Sequence, residues 1–165
     1  MIKSKTLLIV AFLLLGATFV QAQDYKTGLG VRLGPSSGVT VKHFMTPDIA
    51  LEGILDTRSQ GFLLTGLYEI QAPAFNEPGF SWFYGLGGHI GVWGDSGNYP
   101  WIDEDEFHDG SYLALGVDGI IGIEYTFSEA PINIGLNWKP ALNLYRSVDV
   151  WGDGVGLTLR YAFKN

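Results

Sequence analysis

The chain has 165 residues, no cysteine and a formal charge of −7. That length fits one domain, and the missing cysteines exclude disulfides and thiolate metal sites. Acidity without a basic stripe argues against nucleic-acid binding. Glycine, at 23 residues, is used about twice as often as average, and aromatics make up 14%. This balance suits a closed β structure with a crowded interior, and suits neither a helical bundle nor a disordered tail.

The chain opens with Lys3 and Lys5 ahead of an apolar run over 6–20, and Val20-Gln21-Ala22 puts small residues where signal peptidase reads. That is the pattern of a secretory signal peptide. The run is short for a spanning helix, which needs about 20 apolar residues. Cleavage after Ala22 leaves residues 23–165 as a single domain, and losing Lys3 and Lys5 takes the charge to −9.

Strands place alternate side chains on opposite faces, and the mature chain alternates along its length. Residues 25–34 set Leu29, Val31 and Leu33 against Gly28, Gly30 and Arg32. After a turn at 35–38, residues 39–45 set Val39 and Val41 against Thr40 and Lys42. Residues 49–58 set Ile49, Leu51 and Leu55 against Glu52, Asp56 and Arg58, and 62–71 set Phe62, Leu64, Tyr68 and Ile70 against Thr65, Glu69 and Gln71. A link with two prolines over 72–81 leads to a fifth strand over 82–93, with Trp82, Tyr84, Leu86, Ile90 and Val92 opposed to Gly85, Gly87, His89 and Gly91. The longest loop, 94–110, comes next. The hairpin over 111–144 supplies strands six and seven about a turn at 128–131. A loop at 145–153 and a strand over 154–163 finish the chain. Pro140 cannot donate to a ladder, so a bulge or strand end is expected there.

Eight strands is an even number, the rule for bacterial single-chain membrane barrels, in which short periplasmic turns alternate with longer outer loops. An exported N-terminus puts both termini in the periplasm, with the turns at 46–48 and 128–131 and the link at 72–81. The two longest loops then lie outside, and the 72–81 link is long for its side. An eight-stranded barrel has an interior only just wide enough for side chains. The face rich in Gly, Thr and charges fits that space better than the Leu, Ile, Tyr and Trp face, which is therefore expected toward lipid. Tyr25, Phe44, Trp82, Tyr84, Tyr125, Phe127, Tyr161 and Phe163 fall near the periplasmic strand ends, where bilayer interfaces gather aromatics.

The strand SWFYGLGGHIGVW, the hairpin GVDGIIGIEYTF–APINIGLNWKPALNL and the closing GLTLRYAF resemble the small outer-membrane β-barrel proteins of Gram-negative bacteria, the porin-family or OmpX/OmpA-like barrels. The resemblance covers the mature chain. It implies an all-β, eight-stranded antiparallel up-and-down transmembrane barrel and says little about activity. Such barrels end in an aromatic residue read by the barrel-assembly machinery; here Lys164 and Asn165 follow Phe163.

The inward face is expected to carry a charge network of Arg32, Lys42, Glu52, Asp56, Arg58, Glu69, Asp118, Glu124, Lys139 and Arg160. Acids and bases match in number, as a plugged lumen requires, since buried charges must be paired. Lys139, Arg160 and Arg32 are the candidate partners of Asp118 and Glu124. In the long loop, Asp103, Glu104, Asp105, Glu106 and Asp109, with His108, form either a weak Ca2+ site of hard oxygen ligands or a solvated acidic loop; no other cofactor is implied. Gly28-x-Gly30 and Gly85-x-Gly87 lack the spacing and following helix of a nucleotide fingerprint, and read as room for side chains inside a barrel. His89 has Asp95 and Ser96 after it, but no catalytic constellation is recognisable, and the expectation is not an enzyme. The expected role is structural, adhesive or surface-binding, with outer-membrane lipid, the assembly machinery and an extracellular ligand or surface as partners. A narrow passive channel for small solutes is the alternative. A soluble lipocalin-like binder of an apolar ligand is the third reading.

Overall fold

The computed structural model describes residues 25–58, 61–94, 111–145 and 148–163. The signal-peptide reading of 1–22, the acidic loop and the two residues after Phe163 lie outside them. The described strands are β1 (Thr27–Leu33), β2 (Ser37–Phe44), β3 (Ile49–Arg58), β4 (Gly61–Pro73), β5 (Phe80–Gly94), β6 (Ser111–Thr126), β7 (Ile132–Trp138), β8 (Ala141–Asn143), β9 (Asp149–Trp151) and β10 (Val155–Phe163). Consecutive strands from β1 to β7 pair antiparallel, β7 pairs with β10, and β10 returns to β1. The sheet is a closed eight-stranded antiparallel barrel. Two walls are interrupted: β7 with β8 forms the seventh, and β9 with β10 the eighth.

The break at Pro140 leaves the seventh wall in step with β6. Ile121 faces Trp138 on one side of it, and Asp118 faces Ala141 on the other, with no residue gained or lost. Gly119 N–H still donates to the Pro140 carbonyl at 2.9 Å, but proline returns no bond. The bulge lies in the eighth wall instead. Val155 pairs with Trp138 and Trp151 with Ala141, so Gly152-Asp153-Gly154 spans what Lys139-Pro140 spans opposite. That extra residue flips the strand's faces, so Trp151 and Gly156 both point in although their spacing is odd.

Strand length also departs from the sequence pattern at two places. β1 and β2 have only 7 and 8 residues, against 15 and 16 in β5 and β6, so the wall is low at the first hairpin and tall across β5–β6. The 72–81 link is shorter than expected, because pairing continues from Ala72↔Trp82 to Pro73↔Ser81. The true turn is six residues, 74–79.

Side chains divide as the alternation predicts. Leu29, Val31, Leu51, Leu55, Leu64, Ile90, Leu115, Val117, Ile121, Leu136, Leu157 and Leu159 are exposed on the outer surface, while the charged face is buried. Glycines make the tight curvature possible, in two ways. A Cβ on Gly28 would meet the side chains of Tyr25 and Arg160 at 3.1 and 3.2 Å, so this glycine does leave room for side chains. At Gly30, Gly85 and Gly87 the obstacle would be neighbouring backbone: the Leu159, Tyr68 and Gly66 carbonyl oxygens at 1.9, 2.3 and 1.9 Å. There glycine permits close strand approach, a correction to the room-for-side-chains reading.

Candidate functional site

The interior is the candidate site, and β1, β2, β3, β4, β6 and β10 aim its charges, with Lys139 just past the end of β7. In each, the charged residue shares parity with small inward neighbours, so the pleat that exposes the apolar set also buries the charge. Asp118 and Glu124 of β6 both point inward and are buried. Lys139 Nζ lies 2.8 Å from Asp118 Oδ1, and Arg160 Nη1 lies 3.5 Å from Glu124 Oε2.

The charges separate into two clusters. In the lower one, Lys42 Nζ sits 2.9 Å from Glu69 Oε2 and 3.1 Å from Glu124 Oε2, and 4.1 Å from the centroid of the Phe83 ring. Arg160 pairs with Glu52 as well as Glu124, and Thr40 donates to Glu52. Tyr25 hydroxyl and Gln71 Nε2 both donate to Glu124 Oε1, at 3.1 and 2.9 Å. In the upper cluster, Arg32 Nη1 lies 3.9 Å from Asp56 Oδ2, with Ser36 between them: Arg32 donates to Ser36 Oγ, and Ser36 donates to Asp56, each at 3.1 Å. Arg32 also donates to Asn137 Oδ1 and the Gly154 carbonyl. Asp118 is shared by Lys139 and by His89 Nδ1 at 2.7 Å, and the Trp151 ring stacks on His89 at 5.4 Å.

Arg58 is the member that does not join the interior. It ends β3 at one mouth of the barrel, where its guanidinium donates two bonds to Asp153, at 3.0 and 2.7 Å. Those bonds hold the Asp153 carboxyl below its ordinary range. The interior therefore holds four of the five expected bases against five carboxylates, and Lys42 and Arg160 each serve two.

Apolar groups that the charge pattern does not reveal complete the filling. Leu63, Trp93, Tyr112, Ala114, Ala141 and Trp151 cluster at the end of the barrel where Arg58 lies, and Tyr25, Phe44, Ala50 and Ala162 at the other. Ile54, Leu67, Phe83 and Ile120 form a third apolar group, on inward positions of β3, β4, β5 and β6 among the polar and charged ones. Tyr25 and Phe44 are thus not girdle residues. Phe44 shares Lys42's inward parity, a signal present in the sequence. Tyr25 precedes β1 and folds under the barrel against Phe44, rings 5.2 Å apart and edge-on. Trp82, Tyr84, Phe127, Tyr161 and Phe163 do face outward. Trp93 shares parity with His89 and Gly91 and so was also readable as inward; Gly61 and Gly91 are small where its ring lies.

Comparison with family models, with curated proteins and with solved structures returns no match. Function must be argued from the two faces of the barrel. Among the described residues, no group of three or more His, Asp or Glu is placed to hold a metal ion; the acidic loop is outside those residues.

Proposed function

We propose that the mature chain is an outer-membrane barrel with a closed lumen, whose role is structural or adhesive rather than catalytic and is exercised by its outer loops. The observation that carries this reading is the inversion of the usual soluble arrangement. Leucines, isoleucines and valines cover the outside, and lysine, arginine and carboxylates fill the inside. A contiguous apolar surface of that extent is unusual on a soluble monomer, whereas a lipid-facing apolar band around a polar interior defines a membrane barrel. A lipocalin-like binder would need an apolar chamber, and the interior here is packed with paired charges. The charge pairs, with aromatic groups above and below them, favour a plugged lumen over a solute path. His89 is closed between Asp118 and Trp151, which favours a packing role for it over chemistry on a substrate.

Extraction tests the membrane reading. The mature protein should require detergent, and its folded form should migrate differently from the boiled form in gels. A monomer that stays soluble without detergent would overturn it. Deleting residues 96–108 should leave that gel shift intact while abolishing any adhesion or ligand capture of the wild type.

A further inference from the structure

The turn between β4 and β5 carries a residue the barrel itself does not use. Ala74 N–H donates to the Phe80 carbonyl at 2.9 Å and Glu77 N–H to the Ala74 carbonyl at 3.3 Å. These bonds close a turn over 74–77 with Phe75 and Asn76 at its centre. Both central residues have positive φ, 58° and 52°, the pairing of a type I′ turn. Asparagine tolerates that conformation. For phenylalanine the Cβ crowds the following carbonyl, and such a bulky residue is a genuine outlier. Backbone strain of this kind persists where the surroundings repay it.

Nothing inside the barrel repays it. Ala74 is the turn residue that points in, and Phe75 is 74% exposed. Its ring instead heads a row on the outer side: Phe75 meets Phe80 edge-on at 5.9 Å, Phe80 meets Tyr125 at 4.6 Å, and Tyr125 meets Phe127 at 4.8 Å. Trp82 and Tyr84, stacked at 5.3 Å, continue the same outward face of β5 two and four residues beyond Phe80. The β2–β3 turn lies alongside, joined by Gln71 N–H to the Asp48 carbonyl at 2.8 Å, and it also exposes an apolar side chain, Met45. Asn76 and Glu77 are exposed polar neighbours on the same turn.

Resting on the membrane reading, we infer that this turn is an interfacial anchor, with Phe75 seated in the headgroup–acyl boundary of the periplasmic leaflet and phospholipid as its occupant. Aromatic rings with polar neighbours favour that depth, and removal of the ring from water offsets the strained backbone. The continuity of the ring row with the lipid-facing aromatics selects lipid over a protein partner.

The cysteine-free chain makes the test clean. Nitroxide labels go singly on Phe75→Cys, Glu77→Cys and Leu115→Cys, each refolded into vesicles of phosphatidylethanolamine and phosphatidylglycerol. The oxygen-to-nickel accessibility ratio at 75 should fall between a high value at 115 and an aqueous value at 77. A ratio at 75 equal to that at 77, with 115 still high, overturns the anchor alone. An aqueous value at 115 overturns the membrane reading itself. Dipolar broadening between labels at 75 would identify a second copy as the occupant and overturn the lipid assignment. Without any label, Phe75→Asn should match or exceed wild-type stability in micelles, because asparagine suits the turn, yet insert into vesicles more slowly. Insertion at the wild-type rate overturns the inference.

Discussion

Asp118 is held between Lys139 and His89 with no water-facing side, and its partners predict what its loss does. Asp118→Asn keeps an amide oxygen for Lys139 to donate to, beside Thr65 at 3.4 Å, but leaves its ammonium buried without the counter-charge of Asp118. Removing one member of a buried pair costs about 3–5 kcal/mol, and that loss is expected in denaturant unfolding from vesicles. Lys139→Met should cost less, because His89 remains on the other oxygen of Asp118. The double variant should be less damaging than the two singles added together, since neither charge is then stranded; strict additivity would mean that the pair is not coupled. At the mouth the logic is different. Asp153 is about half exposed, and ion pairs in that setting contribute little. Arg58 lowers its acid range, so the pair's contribution is complete above the ordinary aspartate range and fades as pH falls through the lowered value. Comparing Asp153→Asn with wild type, the small stability difference should be present at neutral pH and vanish in acid. A difference that grows in acid would contradict the assignment.

At the scale of strands, the β4–β5 seam is one of the closest, as are those at Gly30 and Gly38. A methyl group on Gly87 would lie 1.9 Å from the Gly66 carbonyl oxygen, while one on outward-facing Gly66 would meet nothing within 4 Å. Gly87→Ala is therefore expected to destabilise by about 4 kcal/mol or more, the range reserved for named structural damage. Gly66→Ala should be neutral or slightly stabilising, because alanine costs less chain entropy than glycine. Equal effects in the gel-shift melting of the two variants would refute the close-approach account. The same seam shows what sequence can and cannot carry. A period of two reports which face a side chain takes, so Leu115, Asp118, Glu124 and Phe44 were all assignable by parity. It does not report strand-to-strand distance, so glycines that relieve a backbone clash look the same as glycines that house a side chain. Parity also fails once a bulge intervenes: Gly152-Asp153-Gly154 reverses the faces of β9 relative to β10, and no composition rule distinguishes those three residues from a plain loop. Tyr25 lies outside any strand, so alternation could not place it.

Across the whole molecule, the pairings depend on how far each strand is staggered when the sheet closes. Lys42 on β2 reaches Glu124 on β6 across the lumen, and Glu52 on β3 reaches Arg160 on β10. Sequence could list the charges; only closure of the sheet selects the partners. Closure also stacks the barriers in series. An ion entering at the Trp93 end meets the Trp93–Tyr112–Trp151 group, then two clusters of buried, ion-paired charges, then Tyr25 and Phe44. Resistances in series are governed by the largest, so opening one layer should not open the path. Wild-type protein in planar bilayers should show no unitary steps, and neither should Trp93→Ala, because the charged layers and the lower aromatic plug remain. The combined variant Trp93→Ala, Tyr25→Ala should also stay silent while the Lys42–Glu124 and Arg160–Glu52 pairs hold. Discrete steps from the wild type would make the channel reading the better one. Steps from Trp93→Ala alone would mean that the charged layers are water-filled and that the outer aromatic group is the only seal.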